Sequence, residues 1–290
     1  MERLLVTGAS GFLGSRIVDY YSEKFEVYAP RHEEMDITDR ENVYAVFQKV
    51  RPYAVIHSAA VSDVGMCEKE PEKSWKINVD GSRNIAMAAE EFRSKYLFCS
   101  SDQVYFGSNV IGLHKESEEL MPQNVYAKEK RKAEEECLAQ NPGCVILRLS
   151  WMYDIMARNE LEHGDFFRTL TAKLQTDEEI SYPIYDVRGI TDVNEVIRNL
   201  EKAMELPGGI YNFGSPNDRN TYETVEAMFR ILQWDAGRLK KNETAFAPNP
   251  RNISMSQEKL KEYGIVFPST LESLVGNGKK YENMVNYPKA

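Results

Sequence analysis

Three glycines spaced three apart constrain this 290-residue chain more than any other feature: Gly8, Gly11 and Gly14 in Val6-Thr7-Gly8-Ala9-Ser10-Gly11-Phe12-Leu13-Gly14. The apolar run Leu4-Leu5-Val6 before them reads as a short buried strand, and Ile17, Val18 and Tyr21 after them are apolar at helical spacing. The chain therefore turns at Gly8 and opens a helix near Gly11. Each glycine has a physical reason: a tight turn, bare backbone against which a pyrophosphate can lie, and close helix–strand packing. A helix opening there presents unpaired N–H groups and a positive dipole end to that phosphate. Set between a strand and a helix, the pattern reads as a dinucleotide-binding turn, with Ser10, Phe12 and Leu13 among its cofactor contacts.

The second strand is read at 26–29, running into Pro30-Arg31-His32. Units of this kind usually place an acidic residue there to hold the ribose hydroxyls of NAD. Arg31 stands there instead and can take the 2′-phosphate of NADP through charge-assisted hydrogen bonds, so NADP(H) is preferred, with NAD(H) as the alternative. Asp36 and Ile37 follow where the chain passes an adenine site in such folds, a purely structural turn being the alternative, and Thr38 with Glu41 reads as a capping box for a helix carrying Val43, Val46, Phe47 and Val50. A third strand over 53–60 is apolar on both faces, as a central parallel strand should be, and ends in the small residues Ser58, Ala59 and Ala60, which permit close approach by a ligand. His57, at the same strand end, reads as packed and hydrogen-bonded, without a chemical role.

A long helix is expected over 71–92; Asn78 interrupts its buried side and needs a partner, such as backbone near a catalytic lysine. The fourth strand, 96–99, ends at Cys99, itself counted as a cofactor contact, and leads into Ser100-Ser101-Asp102-Gln103-Val104-Tyr105. Another helix opens at Asn124-Val125-Tyr126, and a fifth strand covers 144–149. This alternation predicts an α/β architecture: a doubly wound parallel sheet over 1–153, whose ligands sit beyond the strand C-terminal ends, and a smaller C-terminal substrate lobe over 154–290. In the lobe, helices are expected at 166–174, 192–204, 222–232 and 256–263, and a strand at 210–213. Elements around 186–213 are expected to return to the main sheet, and 276–290 reads as a loose tail.

The formal net charge of −9, with no lysine- or arginine-rich tract, speaks against nucleic acid or an anionic membrane as partner. No apolar run approaches a membrane span, and the chain enters its first strand at once, leaving no room for a signal peptide. Cys67, Cys99, Cys137 and Cys144 lack metal-type spacing and read as reduced structural thiols of a cytoplasmic protein, with no metal site expected.

Ser101, Tyr126 and Lys130 form a workable hydride-transfer set. Reducing a ketone needs a hydride on carbon and a proton on oxygen. A tyrosine can supply the proton if a neighbouring lysine ammonium tunes its phenol, and Tyr126 and Lys130, four apart, share one helix face. Ser101 can hydrogen-bond the same substrate oxygen.

These residues, taken with Ser58-Ala59-Ala60, Asn78-Val79-x-Gly81, Met35-Asp36-Ile37-Thr38-Asp39, Arg51-Pro52-Tyr53-Ala54-Val55-Ile56, Arg148-Leu149-Ser150-Trp151-Met152-Tyr153 and Arg251-Asn252, resemble the extended short-chain dehydrogenase/reductases, and among them the dTDP-4-dehydrorhamnose reductases. The resemblance is dense as far as Tyr153 and thin afterwards. It implies a Rossmann-type fold, a nucleotide-linked 4-keto-6-deoxy sugar as substrate, Tyr126 as proton donor, Lys130 as its partner and ribose anchor, Ser101 as the carbonyl-orienting hydroxyl, and Asp102 beside it in the catalytic set. Gln103 stands where nucleotide-sugar dehydratases carry a glutamate base, which argues against 4,6-dehydration. The stretches 61–66 and 185–193 depart from the reductase pattern, the latter looking more like an epimerase lobe, so an NAD-dependent nucleotide-sugar epimerase is one alternative. A second is an NADP-binding regulatory subunit without catalysis, as some relatives of these reductases are. A homodimer is compatible with the fold, though no stretch announces an interface.

Overall fold

Strands that are apolar on both faces need cover on both faces, and the chain supplies it by alternating strand with helix. The computed structural model describes residues 1–156, 165–176 and 178–285. It begins with β1 (Arg3–Thr7), α1 (Phe12–Tyr21), β2 (Glu26–Tyr28), α2 (Arg40–Val50) and β3 (Ala54–His57). Three helical segments follow, α3 (Val64–Lys69), α4 (Pro71–Trp75) and α5 (Ser82–Glu91), the last two joined by a π-helical turn at Lys76–Gly81. Then come β4 (Lys95–Ser101), a 3-10 turn (Asp102–Tyr105), α6 (Val125–Gln140) and β5 (Val145–Leu149). The remainder holds β6 (Trp151–Tyr153), α7 (Phe166–Leu174), β7 (Ile180–Pro183), β8 (Asp186–Val187), β9 (Ile190–Asp192), α8 (Val193–Ala203), β10 (Gly209–Phe213), α9 (Thr221–Leu232), β11 (Leu239–Asn242), β12 (Arg251–Asn252), α10 (Glu258–Lys261) and α11 (Thr270–Val285).

Six strands form a parallel sheet in the order β2-β1-β3-β4-β5-β10, a Rossmann-like topology. Register aligns Thr7 with His57 and His57 with Phe98, so the ends of β1, β3 and β4 fall side by side. The last strand of the sheet, β10, comes from the 186–213 region expected to return to it. By contacts the chain sorts into two units. The first is Met1–Phe106, Glu119–Arg148 and Ile197–Tyr211, and the second is Gly107–Glu118, Leu149–Val196 and the chain from Asn212 onward. The first unit has a core of Leu5, Val55, Phe98 and Ile146 from the sheet against Val43, Phe47, Ile85, Ala89 and Ala133 from the helices. The second has its own core of Tyr153, Phe166, Phe167, Leu170, Phe229, Trp234 and Leu274, together with three two-stranded parallel pairs, β6–β9, β7–β11 and β8–β12.

Three expectations are corrected. The helix expected over 71–92 runs without a break from Pro71 to Glu91, but a π turn at Lys76–Gly81 widens it at Asn78, a departure often found where a side chain has a special task. The capping box does not form at Thr38. Helix α2 is capped by Asp39, whose carboxylate accepts from the N–H groups of Glu41 and Asn42, while the Thr38 hydroxyl and N–H both donate to Asp36. Shifting the cap one residue on leaves Thr38 to close an Asx-type turn. Finally, 276–285 is no loose tail but the second half of α11; 286–290 lies outside the described residues. A Cβ on Gly278 would stand 2.3 Å from Leu232 Cδ1, so this glycine lets α11 lie against α9. Asn277 donates to Tyr153 Oη and Asp192 Oδ2, and Trp234 donates to Glu282, fixing the helix along its length.

Candidate active site and cofactor turn

The glycine turn holds its shape for two separate reasons. Gly8 has φ +71°, and a Cβ there would lie 2.6 Å from the Ala59 backbone N. A Cβ on Gly14 would come 2.1 Å from Gly8 O. Both must stay bare for the turn to close on itself and for α1 to start against it. Gly11 differs: it is exposed, its φ is −79°, and a Cβ would meet only Gly8 O at 3.3 Å. Among the described residues only that backbone oxygen, which would have to give by a few tenths of an ångström, stands against a side chain there. Helix α1 has no side-chain cap and no acidic residue in its first turn, so its orphan N–H groups and dipole suit an anion. The residues fit a dinucleotide pyrophosphate, with Ser10 exposed beside Gly11, Phe12 half-buried and Leu13 buried.

The flanking positions vary in what they offer. Ser58 donates its hydroxyl to Thr7 O at 2.8 Å and thereby binds β3 to β1, leaving Ala59 and Ala60 as small, half-buried residues beyond the strand end. Arg31 is largely exposed just after β2, with Nε 3.8 Å from the Glu34 carboxylate, which also accepts from the Arg31 N–H. Burial works against the Asp36 carboxylate, but the two hydrogen bonds from Thr38 prevail and lower its pKa. Ile37 is buried, its carbonyl taken by Asn84 Nδ2 and its side chain against Gly81.

At the end of β4 the sequence-predicted set does come together. Asn124 caps α6, its side chain accepting from Ala127 N at 2.7 Å, and this starts the helix so that Tyr126 and Lys130 both face inward and are buried. Ser101 lies close enough to Tyr126 to act on its phenol. Lys130 Nζ donates to Cys99 O at 2.9 Å and lies 4.8 Å from the Phe98 ring centre and 5.8 Å from that of Tyr126. The sequence argument expects Lys130 to depress the phenol, and here the structure differs. Burial pushes the Tyr126 pKa up, the Ser101 hydroxyl pulls against it, and the Asp102 charge adds to the rise. The Lys130 ammonium is spent on a carbonyl instead. Its own pKa is lowered by burial, against which Glu134 and Glu129 are among the groups acting. The phenol is therefore held protonated at neutral pH, the state a proton donor needs. Gln103 receives a hydrogen bond from Asn124 at 3.3 Å, and an amide has no basic site for carbon deprotonation.

Asn78 does not reach backbone beside the lysine. Its Oδ1 accepts from Val61 N, and its Nδ2 donates to Val61 O and to Glu129 Oε2 at 2.7 Å. Its polar atoms thus hold the chain beyond β3 and a buried carboxylate next to Lys130. His57 is a packed residue. Its Nδ1 accepts from Thr7 Oγ1 at 2.6 Å, and its Nε2 donates to Ser82 Oγ at 3.0 Å, whose own proton goes to Asn78 O. Burial, with the Lys130 charge second, drives its pKa down to about 3, so it is neutral. The Cys99 and Cys67 thiols are pushed up to about 12 and about 11, by burial above all, which leaves both protonated.

Sequence reasoning missed four buried polar groups behind the site. Glu134 Oε1 accepts from Ser100 Oγ at 2.5 Å and from Arg148 Nε at 3.0 Å, and Oε2 accepts from Arg148 Nη2 at 2.7 Å. Arg148 Nη1 donates to Tyr105 Oη at 2.7 Å. Burial disfavours the Arg148 cation, yet Glu134 more than offsets it and raises the guanidinium pKa. The signal was present: Tyr126, Lys130 and Glu134 are an i, i+4, i+8 row of ionisable residues on one helix face, and Arg148 is a cation inside an apolar strand.

The family model described as the RmlD substrate binding domain matches residues 1–277. A dTDP-4-dehydrorhamnose reductase from Aggregatibacter actinomycetemcomitans is 29% identical over 239 residues, 79% of each chain. Methionine adenosyltransferase 2 subunit beta from Bos taurus is 25% identical over 284 residues, 91% of this chain and 83% of that one. Among solved structures, dTDP-4-dehydrorhamnose reductase from Bacillus anthracis in complex with NADP superposes with a TM-score of 0.84 at 25% identity, covering 96% of this chain and 99% of that one. With the family model spanning the glycine turn, the Ser101–Tyr126–Lys130 cluster and most of the second unit, the chain belongs to the RmlD substrate-binding domain family, as an extended short-chain dehydrogenase/reductase of the dTDP-4-dehydrorhamnose reductase-like type.

Proposed function

We propose that this protein is an NADP(H)-preferring reductase of a nucleotide-linked 4-keto-6-deoxy sugar, with the glycine turn and strand ends as the cofactor site and the second unit as the substrate lobe. The observation that carries the reading is the convergence of Ser101, a protonated Tyr126 and Lys130 at the end of β4. A nicotinamide cofactor held there would supply hydride to the carbonyl carbon. Tyr126 gives its proton to the carbonyl oxygen as negative charge develops there, and Ser101 Oγ orients that oxygen by a hydrogen bond. Lys130, fixed by Cys99 O with its Nζ 5.8 Å from the centre of the Tyr126 ring, would serve as the anchor for the cofactor's ribose. Asp102 neighbours Ser101, its Oδ1 accepting the serine proton at 3.3 Å, a bond the hydroxyl gives up when it turns to the carbonyl oxygen. Arg31, its side chain 81% exposed, favours the 2′-phosphate, and the NADP complex of the Bacillus anthracis relative supports that preference.

The test is NADPH oxidation with dTDP-4-dehydrorhamnose, run in parallel with NADH, and with Tyr126→Phe as control. Turnover faster with NADPH and reduced about 100-fold or more in the mutant is expected, the range a positioned acid contributes. A protein that binds NADPH but turns over no keto-sugar refutes the reading. The similarity to a subunit of methionine adenosyltransferase 2 favours a second one, an NADP-holding partner subunit; a stable heteromeric partner together with absent turnover would establish it.

A further inference from the structure

The Glu134–Arg148 pair is buried beside the reacting groups and touches none of the reacting atoms in the chemistry just described. Both residues are buried, with side chains 3% and 2% exposed. Removing two charges from water is costly, and a buried pair is often no more stabilising than well-packed apolar side chains of similar size. The pair's hydrogen bonds show what it achieves instead. One carboxylate oxygen takes the hydroxyl of Ser100, immediately before Ser101, and Arg148 Nη1 takes the hydroxyl of Tyr105, at the end of the 3-10 turn that begins with Asp102. The segment from Ser101 to Val104 is thus gripped at both ends by one rigid, bidentate ion pair bridging α6 and β5. Because Glu134 rises from the same helix face as Tyr126 and Lys130, the pair ties the serine side of the site to the tyrosine side.

We propose that Glu134 and Arg148 are positioning residues, holding Ser101 and Asp102 in register with Tyr126 through Ser100 and Tyr105 and so setting the rate of carbonyl protonation rather than cofactor affinity. This rests on the reductase reading. Removing the pair itself leaves an uncompensated buried charge, so Ser100→Ala and Tyr105→Phe are the informative variants. Each cuts one link and leaves the ion pair whole.

The experiment measures three quantities on wild-type and both variants: turnover per NADPH-binding site, KM for NADPH, and amide hydrogen exchange of the segment 101–106 by mass spectrometry. The expected result is a fall in kcat of about 10-fold in each variant, within what a displacement of the order of 1 Å costs a reacting pair. KM for NADPH stays within about twofold, and exchange in 101–106 speeds up about 10-fold while the rest of the protein is unchanged. Unchanged kcat in both variants overturns the proposal, as does a loss of NADPH binding in step with kcat, which marks a merely structural role. Ser100→Thr, which restores the hydroxyl, should recover kcat. If wild-type protein itself shows no turnover, the reductase reading falls on its own. The grip is then judged by exchange alone: faster exchange supports it and unchanged exchange overturns it.

Discussion

Glycine-to-alanine exchange at four positions separates the two jobs that glycines do in this chain. At Gly14 the new Cβ would be 2.1 Å from Gly8 O, about 1.3 Å inside the onset of ordinary contact, with backbone on both sides. Neither partner can rotate away, so α1 must shift off the turn. A penalty at or beyond the upper end of the usual overpacking range, roughly 3 kcal/mol, is expected. At Gly278 the clash is as short, 2.3 Å, but with Leu232 Cδ1, the end of a side chain that can change rotamer. Relief there, with the helix-propensity gain of alanine, limits the loss to about 1 kcal/mol. Gly276 has nothing within 4 Å and lies on the exposed side of α11, so alanine stabilises by about 0.5–1 kcal/mol. Gly11, an N-cap with an ordinary φ, loses less than about 1 kcal/mol of stability, yet its Cβ stands where a phosphate would approach the helix.

Urea unfolding followed by circular dichroism gives the stability order, Gly276→Ala above wild type, then Gly11→Ala close to Gly278→Ala, then Gly14→Ala. NADPH fluorescence titration gives a different order, with Gly11→Ala weakened by about 10-fold or more although it folds well, and Gly276→Ala unaffected. Gly14→Ala within about 1 kcal/mol of wild type would refute the argument that α1 is locked to the turn by contact between backbones. Gly11→Ala binding NADPH as tightly as wild type would refute the assignment of Gly11 to ligand approach.

Two further outcomes follow from buried charge. Glu134→Leu strands the Arg148 guanidinium and should cost about 3–5 kcal/mol, whereas Glu134→Leu combined with Arg148→Met should recover most of that loss in denaturant melts; equal instability of the two would sink the electrostatic account. His57, whose folded pKa of about 3 lies below the unfolded value, contributes stability that is whole above about pH 6.5 and is lost as pH falls towards 3, because the unfolded chain then binds the extra proton. At pH 4.5 this amounts to roughly 2–3 kcal/mol relative to pH 7, so the gap between wild type and His57→Gln should narrow by about that much on acidification.

Much of the fold to Leu149 is legible because parallel strands covered on both faces leave uninterrupted apolar runs, and because Gly8, Gly11 and Asn124 mark where helices begin. What is not legible has specific causes. The π turn at Asn78 disturbs a helical period by one residue only, within a segment whose overall pattern still reads 3.6. Helix α11 reads as a tail because Gly276 and Gly278 resemble breakers, when one of them is small so that Leu232 can approach. The cap at Asp39 competes with an equally good local signal at Thr38, and only the path of the chain decides between them. Ser101, Tyr126 and Lys130 were readable as a set, since two lie on one helix face and the third ends a strand. The Glu134–Arg148 link was not, because its meaning depends on Ser100 and Tyr105, which only the fold brings to it.

Lys130, Glu129, Glu134 and Arg148 are each at most 2% exposed, two cations and two anions within one helix and the strand beside it. None could be buried alone, since an isolated charge in such surroundings would shed or take up a proton. Glu129 is satisfied by Ser74 and Asn78, Glu134 by Ser100 and Arg148, Arg148 by Glu134 and Tyr105, and Lys130 by Cys99 O. Glu134 acts twice, pairing with Arg148 and, with Cys99 and Cys137, opposing the burial that lowers the Lys130 pKa. The Glu134 carboxylate, one helical turn from Lys130, thus both opposes the effect of burial on the lysine and pairs with an arginine on the neighbouring strand. A catalytic inventory of Ser101, Tyr126 and Lys130 names the groups positioned for reaction, but the charge state of Lys130 is a property of the whole buried set. Neutralising Glu134 should on this account weaken the lysine as well as loosen the serine, two losses from one residue that never meets the substrate.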